Sequence, residues 1–283
     1  MTRLLVVGDV VDDVVVRPLS DVTRASDTTA EIRRTDGGSA ANVAAWLGHL
    51  GADVRFVGRA GIDGARRHAA SLAAYGVDAR VSADPDLPTA TLVALLDPTA
   101  ERTMYVDRAA NATLSATDLG DDVLDGVGWV HLTGYSFFDD GVRPVVLDLV
   151  ARARERGCGW SVDPSSVSFL AACPDFLTWV ADADLLLPNA DEARQLTGLS
   201  PAEATASLPF PEVVVKLGAD GALSSAGSRV AALPAPVVDT TGAGDAFAAG
   251  FLRTRIEGGS TDEALTAGAA AGARAVTKLG ARP

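Results

Sequence analysis

The sequence has few of the residues that build disulfide frameworks or metal centres. Two cysteines occur among its 283 residues, too few for a disulfide scaffold, and their separation matches no metal-binding pattern. The three histidines are scattered and indicate no zinc site. Because free thiols suit a reducing compartment, the cytoplasm is the predicted location.

Long apolar runs and an excess of basic residues are also absent. No apolar run reaches the ~18 residues that a membrane-spanning helix needs, so we expect no membrane partner. The first residues begin a strand pattern at once and lack the layout of a signal peptide. Acidic residues outnumber basic ones by 37 to 24, and the net charge of −13 argues against nucleic-acid binding. A phosphorylated ligand is still compatible with this charge, because a few backbone N–H groups hold phosphate on an acidic protein.

Three common site motifs are missing as well. No G-x-x-x-x-G-K-[ST] segment occurs, which excludes a P-loop enzyme. The glycines near Gly8 do not complete a G-x-G-x-x-G pattern, so a dehydrogenase is the weakest alternative. No G-x-S-x-G segment indicates a Ser-His-Asp hydrolase.

Short apolar runs do alternate with helical patterns along most of the chain. Helices are predicted at 39–50, 65–75, 141–156, 190–197 and from 241 to about 256, and residues 200–211 are predicted to form a surface loop. The predicted strands are 4–7, 54–57, 129–132, 159–162, 185–187 and 213–217. This alternation predicts an α/β fold with a mostly parallel sheet and helices on both faces.

Two segments depart from this alternation, within about 12–36 and 88–108. They contain short predicted strands at 14–16, 29–34, 89–96 and 102–106, the last two joined by a turn at 97–100. We interpret them as a small second sheet that serves as a lid or as a surface for a homodimer, because its edges are open to pairing with another chain.

The sharpest local pattern is Thr241-Gly242-Ala243-Gly244-Asp245 at the start of a predicted helix. Small residues let the backbone approach a ligand, and the first N–H groups of a helix are unpaired. Together with the helix dipole they favour an anion. Asp245 would therefore contact the bound anion or cap the helix, and the local sequence leaves both interpretations open.

Four segments in order resemble the motifs of the ribokinase-like (PfkB) carbohydrate kinases: residues 37–44, 188–192, 215–221 and 239–251. One departure is Arg66, which stands where that family commonly has a second glycine. The resemblance covers nearly the whole chain. It implies a single domain over 1–283 with a ribokinase-like three-layer α/β/α core, a mostly parallel central sheet and a small β-sheet lid.

The resemblance implies transfer of the γ-phosphate of ATP to a hydroxyl of a sugar or sugar acid. Asp245 would be the catalytic base, since a carboxylate with a pKa near ~4 is ionised at neutral pH. Gly242, Ala243 and Gly244 would offer N–H groups to the transferring phosphoryl group. Glu192 would bind Mg²⁺ through water, with Asn189 beside it, although the same pair also forms a capping box.

The resemblance also implies further binding residues. Asp13, Gly37, Gly38 and Asn42 would bind the acceptor, with Asp12 as the alternative to Asp13. Arg102 and Arg108 would contact a substrate carboxylate or phosphate, unless they are solvated.

The nucleotide and a monovalent cation have implied residues of their own. The residues implied to lie by the nucleotide are Asn189, Lys216, Gly218 and Gly221. At position 216 the family more often has Thr or Ser in place of lysine. A K⁺ site is implied at Asp239, Thr241, Ala275, Lys278 and Gly280.

Two further functions are compatible with the same resemblance. A nucleoside kinase of the adenosine type would need an aromatic surface for the base. A non-catalytic ligand-binding protein would not need the intact Asp245 and its glycine loop, and their presence counts against it.

Overall fold

In a computed structural model of the chain, residues 2–96 and 102–283 are described, without the side chain of Arg102. The predicted turn at 97–100 and any contact of the Arg102 side chain thus lie outside the described residues. The described part contains thirteen strands, β1 to β13: Arg3–Val7, Val11–Pro18, Ala30–Gly37, Val54–Gly61, Asp78–Asp84, Thr91–Leu96, Arg102–Asp107, Val127–Thr133, Gly159–Asp163, Leu185–Leu186, Glu212–Lys216, Ala222–Ser224 and Arg229–Val230.

Nine of these strands form one sheet in the order β13-β12-β11-β10-β9-β8-β1-β4-β5. The strands from β11 to β5 pair in parallel, and β12 and β13 add an antiparallel edge. Leu4 and Val6 of β1 face one buried apolar cluster, and Leu5 and Val7 face a second cluster. Side chains alternate across a strand, so the sheet is covered on both faces. The predicted three-layer core is confirmed.

Residues 2–96 and 102–283 also form ten α-helices, α1 to α10: Ser39–His49, Ala65–Ala73, Tyr135–Phe138, Arg143–Glu155, Val167–Ala172, Phe176–Trp179, Ala190–Thr197, Pro201–Ser207, Ala243–Ile256 and Thr261–Ala275. The prediction of a surface loop at 200–211 is wrong, because α8 lies there. Ser200 caps this helix in a reciprocal pair with Glu203, and Pro201 occupies its first turn, where proline's missing N–H costs nothing.

The remaining four strands form the predicted second sheet, in the order β3-β2-β6-β7. β2 pairs antiparallel with β3 and parallel with β6, and β7 closes the other edge as a hairpin with β6. β2 leaves the core sheet directly after β1, and β3 leads directly into α1. The base of this lid therefore lies at the carboxyl end of β1, where open α/β sheets bind their ligands.

Candidate active site

The start of helix α9 has a backbone that only glycine accepts without strain. Gly242 has φ +73°, and a Cβ there would lie 2.6 Å from the Cβ of Ala281. No side chain caps the first turn of α9. Asp245 is consequently not the cap that the local sequence left open, and the turn keeps the character of an anion site.

The Asp245 carboxylate bonds to two side chains of α1. It accepts hydrogen bonds from Ser39 Oγ at 2.8 Å and from Asn42 Nδ2 at 2.9 Å. Burial raises the pKa of Asp245 to about 6, although these two hydrogen bonds act in the opposite direction. The Oδ1 atom of Asn42 is buried and has no hydrogen-bond partner among the described residues. A hydroxyl group bound beside Asp245 would satisfy this acceptor.

Asp13 and the pair Gly37-Gly38 lie at the base of the lid, close to Asp245. A Cβ at Gly38, where φ is +96°, would overlap the carbonyl of Asp9, so this position needs glycine, and a Cβ at Gly37 would displace the Asp13 carboxylate. Burial raises the pKa of Asp13 to about 7, and the negative charge of Asp245 adds to this rise. Asp12 bonds instead to Arg67 and His68. Of the two predicted alternatives, this favours Asp13 as the residue that would bind the acceptor substrate.

A second group of charged side chains lies beside Gly244, at the start of α9. Lys216 forms an ion pair with Asp163 at the end of β9. Burial lowers the pKa of Lys216, but the charges of Asp163 and Glu192 outweigh it, and the net pKa is raised. Lys216 Nζ also lies 3.5 Å from the position that a Cβ on Gly244 would occupy. A cation thus stands beside the glycine loop.

Glu192 and Asn189 form the capping box that the sequence suggested. Asn189 Oδ1 accepts a hydrogen bond from the Glu192 backbone N–H at 2.9 Å, and Glu192 Oε2 accepts one from the Asn189 backbone N–H at 2.8 Å. Burial raises the pKa of Glu192 to about 7, and the charge of Asp163 adds to the rise. The charge of Lys216 and the hydrogen bond from the Asn189 N–H act in the opposite direction and offset only part of this rise.

A cavity of about 590 Å³ opens next to these groups. It brings together the predicted nucleotide residues Asn189, Lys216, Gly218 and Gly221 with Gly244 of the catalytic loop. Most of the remaining wall is small or apolar: Ala219, Ala232, Leu233, Pro234, Ala235, Val237, Phe247, Ala269, Gly272, Ala273 and Val276. Such a wall suits a flat apolar ring with its phosphates directed at the glycine loop.

Hydrogen bonds bring together three of the predicted cation residues, Asp239, Thr241 and Gly280. Asp239 Oδ1 accepts hydrogen bonds from the N–H and hydroxyl of Thr241, at 2.8 and 2.6 Å, and its Oδ2 accepts one from the Gly280 N–H at 3.0 Å. Ala275 is buried in the core. The Lys278 ammonium lies over the Trp46 ring at 5.6 Å from its centroid.

Arg108 lies between the lid and the core. Its guanidinium bonds to Asp9 at 2.9 Å, to Asp139 at 2.7 Å and to the carbonyl of Tyr135 at 3.0 Å. These contacts occupy the fork that a substrate carboxylate or phosphate would use. Its predicted contact with an anionic substrate would require an exchange of partners.

Sequence reasoning overlooked Ser39, Asp163 and Tyr135. Asp163 and Tyr135 follow predicted strands of the central sheet, so the rule that ligands bind at carboxyl ends of strands was a usable signal. Burial and the charges of Asp9 and Asp245 raise the pKa of the Tyr135 hydroxyl. Its ring makes edge contacts with Phe138 and Phe169.

The geometry agrees with one known protein family. The family described as pfkB family carbohydrate kinase matches residues 1–283. The chain belongs to this family. Among the described residues of this carbohydrate kinase, no helix is both long enough and apolar enough to span a membrane.

Relatives of this carbohydrate kinase match along most of its length. The aminoimidazole riboside kinase of Salmonella typhimurium is 33% identical in an alignment of length 266 that covers 87% of this chain and 83% of the relative. The ATP-dependent ribose-1-phosphate kinase of Halopiger xanaduensis is 33% identical in an alignment of length 294, gaps included, that covers 100% of this chain and 94% of the relative. A solved E. coli relative in complex with ATP and Mg²⁺ is 26% identical, with a TM-score of 0.88 over 99% of this chain and 94% of its own.

Proposed function

We propose that this kinase transfers the γ-phosphate of ATP to a hydroxyl of a sugar or sugar acid, with Asp245 as the catalytic base. The observation that carries the proposal is the position of the Asp245 carboxylate. It is bonded to Asn42 on the acceptor side, and its helix begins at the glycine loop beside Lys216. An acceptor hydroxyl and a phosphate would therefore meet at this carboxylate.

The acceptor would be held by Asp13, Asn42 and the backbone of Gly37-Gly38. Its hydroxyl oxygen attacks the γ-phosphorus while the bond from that phosphorus to the β,γ-bridging oxygen breaks. The hydroxyl proton passes to Asp245, and ADP leaves with the bridging oxygen. A pKa of about 6 keeps Asp245 ionised at neutral pH and still basic enough to accept this proton late in the reaction.

The transferring phosphoryl group would be stabilised by the backbone N–H groups of Gly242, Ala243 and Gly244, and by the Lys216 ammonium. These N–H groups stand at the uncapped start of α9, where the helix dipole favours negative charge. Lys216 contributes a point charge, which suits a phosphate oxygen.

The residues around Glu192 fit a magnesium ion. Glu192 and Asp163 are buried carboxylates close enough to raise the pKa of Glu192, and a divalent cation would relieve this repulsion. Hard oxygen ligands of this kind suit Mg²⁺, which usually keeps several of its waters. We assign Glu192 and Asp163 to hold the ion, with Asn189 orienting Glu192. When bound, the ion would neutralise charge on the nucleotide phosphates.

A potassium ion would bind where the turn of Asp239 and Thr241 meets Gly280. Support comes from the Asp239 carboxylate, which bonds to both segments next to the catalytic loop. We expect K⁺ to raise kcat relative to a bulky organic cation at equal ionic strength. Equal rates in the two salts would exclude an activating site.

A homodimer would form through the lid sheet. Support comes from apolar side chains on the lid strands that are more than half exposed, namely Ile32, Met104 and Tyr105. We expect a dimer in sedimentation velocity and a monomer after Ile32→Glu. A wild-type monomer at micromolar concentration would contradict this assignment.

A cytoplasmic location is supported by the state of the cysteines. Cys158 and Cys173 are both free thiols, as expected in a reducing compartment. Cell fractionation followed by immunoblotting tests the location, and recovery outside the cytoplasm would exclude it.

A riboside is the second candidate acceptor, because three partly exposed aromatic rings adjoin the acceptor site. Phe138 and Phe169 stack at 5.1 Å, and Tyr135 packs against Phe169 at 5.7 Å. The Tyr135 carbonyl is bonded to Arg108, which is bonded to Asp9 at the lid base. A base or another flat group on the sugar would stack on these rings.

An acceptor panel tests the proposed function. Pentoses, ketohexoses, 2-keto-3-deoxy acids, ribose-1-phosphate, adenosine and aminoimidazole riboside are incubated with ATP and Mg²⁺, and ADP release is measured against an acceptor-free control. We expect at least one acceptor to be phosphorylated. If none releases ADP above the control but one stabilises the protein against heat, a ligand-binding protein replaces the kinase.

A further inference from the structure

Two aspartates face each other at the base of the lid. Asp12 of β2 and Asp36 of β3 are direct partners in the antiparallel ladder. Like charges at such positions repel each other and destabilise the pairing. Their chain neighbours are Asp13 and Gly37, two proposed acceptor residues. The repulsion therefore lies next to the part of the lid that would touch the substrate.

Three side chains outside the lid bond to these carboxylates, and the two arginines among them compensate the negative charges. Arg67 of α2 bonds to Asp12 at 2.5 Å and also to Asp36. His68 Nε2 lies 2.9 Å from Asp12 Oδ1, and its ring is fully buried. Arg282 Nη1 lies 3.3 Å from Asp36 Oδ2. We name these five residues the lid-base clamp: Asp12, Asp36, Arg67, His68 and Arg282.

Arg282 joins the clamp directly to the acceptor backbone. Its Nη2 donates to the carbonyl of Gly37 at 3.1 Å, and its Nη1 donates to Ser71 Oγ at 2.9 Å. The side chain is only 6% exposed. The Nε atom is buried without a hydrogen-bond partner among the described residues, so the guanidinium is held by its two Nη groups, which tie the Gly37 carbonyl to α2.

The clamp does not have the character of a metal site, although its two carboxylates and the histidine lie within 4.8 Å of one another. Two guanidinium groups already bond to the carboxylates, and their positive charges oppose a cation. The arrangement is a charge-balanced joint between the lid, α2 and Arg282.

We propose that Arg67 and Arg282 are positioning residues, which fix the lid base so that Asp13 and the Gly37-Gly38 backbone meet the acceptor. This inference rests on the proposed kinase function. Neither arginine is assigned to touch the nucleotide or the transferring phosphoryl group. Their loss therefore affects acceptor affinity, and it leaves ATP affinity and the chemistry at Asp245 unchanged.

The variants Arg67→Met and Arg282→Met test the inference, with Arg66→Met and Arg274→Met as controls. Arg66 and Arg274 are exposed residues of α2 and α10 with no ion pair among the described residues. For each acceptor that the wild type phosphorylates, beginning with D-ribose and D-fructose, we expect KM to rise about ten-fold or more, because small misplacements of binding groups are costly. The KM for ATP and kcat should stay within about two-fold, and the controls should match the wild type.

A rescue separates positioning from general damage. Asp12→Asn in the Arg67→Met background removes the repulsion with Asp36 and keeps the pair of Arg282 and Asp36, so the acceptor KM should return most of the way to its wild-type value. Hydrogen exchange should follow the same order, with faster exchange at residues 11–18 and 30–37 in the single arginine variants and recovery in the double variant.

Three results would overturn the inference. An unchanged acceptor KM with faster lid exchange would show that the clamp stabilises the lid without positioning the acceptor. Unchanged exchange in both arginine variants would show that the clamp does not hold the lid base. Equal losses in kcat and in ATP affinity would indicate a global defect. A wild type that phosphorylates no acceptor would instead contradict the proposed function, and the exchange data would still report on the clamp.

Discussion

The acceptor side and the nucleotide side of this active site are lined by different types of residue. On the acceptor side, Asp13 and the lid-base clamp form a compact set of charges, and Arg108 pairs with Asp9 and Asp139. The nucleotide cavity has mainly small and apolar walls, and Lys216 is the ionisable side chain among its lining residues.

This difference in lining residues indicates how each side would select its ligand. Charged groups that are fixed by partners give directional, exacting recognition, because an unpaired buried group is costly. Small walls and backbone N–H groups accept a flat ring and phosphates with little directional demand. Acceptor selectivity should therefore be sensitive to single charge changes, and nucleotide binding should depend more on shape.

The largest expected effect comes from the residue that belongs to both sides. Asp245→Asn keeps the hydrogen-bonding shape but removes the base, so kcat should fall about 10³-fold. ATP binding, measured by titration calorimetry, should change little. Asp262→Asn is a matched control, because Asp262 is also an acid in the first turn of a helix. Turnover near the wild-type rate in Asp245→Asn would remove Asp245 from its proposed role.

The next largest effect on kcat should come from removing the Lys216 ammonium on the nucleotide side. Lys216→Met removes the cation beside the glycine loop, and kcat should fall about 10²-fold. It also leaves Asp163 without its partner, which should lower the melting temperature.

The double variant Lys216→Met with Asp163→Asn isolates the effect on stability. It removes the unpaired charge, so we expect the melting temperature to recover. Because Asp163 is also a proposed magnesium ligand, kcat should stay low, and recovery of kcat together with stability would mean that neither Lys216 nor Asp163 acts in catalysis.

The smallest expected effect is on the pH dependence of the acceptor side. Since the pKa of Asp245 is about 6 and that of Asp13 about 7, kcat/KM should rise with pH through this region as both carboxyl groups ionise. Ser39→Ala removes a hydrogen bond to the charged carboxylate, which raises its pKa. The acid limb should therefore move to higher pH by up to about one unit. An unchanged limb, or a move to lower pH, would show that another group controls it.

Motif residues within one element were predictable from the sequence. The αL backbone of Gly242 and the capping box of Asn189 and Glu192 depend on local geometry, which the residue types reveal. The two-sheet fold followed from the alternation of strands and helices, and from the strands that interrupt it. The helix at Pro201–Ser207 was missed because its prolines suggested a loop, although Ser200 and Glu203 formed a readable capping box.

Contacts between distant parts of the chain were not predictable. Arg282 and Asp36 pair across 246 residues, and Arg108 meets Asp9 across 99. Arginine and aspartate are common on surfaces, so nothing local distinguishes those that become buried partners. Lys278 was predicted at a cation site, and the contact of its ammonium with the distant Trp46 ring was not predictable.

The packing of residues 281–283 has a consequence for synthesis of the protein. Ala281 lies against Gly242 and accepts a hydrogen bond from the Trp46 indole at 2.8 Å, and the Pro283 carbonyl accepts one from the Tyr75 hydroxyl at 2.7 Å. Both the catalytic loop and the acceptor backbone are supported by a segment that the ribosome adds after all the elements it supports. While residues 281–283 are still inside the ribosome, the nascent chain lacks part of both sides of the site. Both sides are therefore complete only after this segment has emerged and docked.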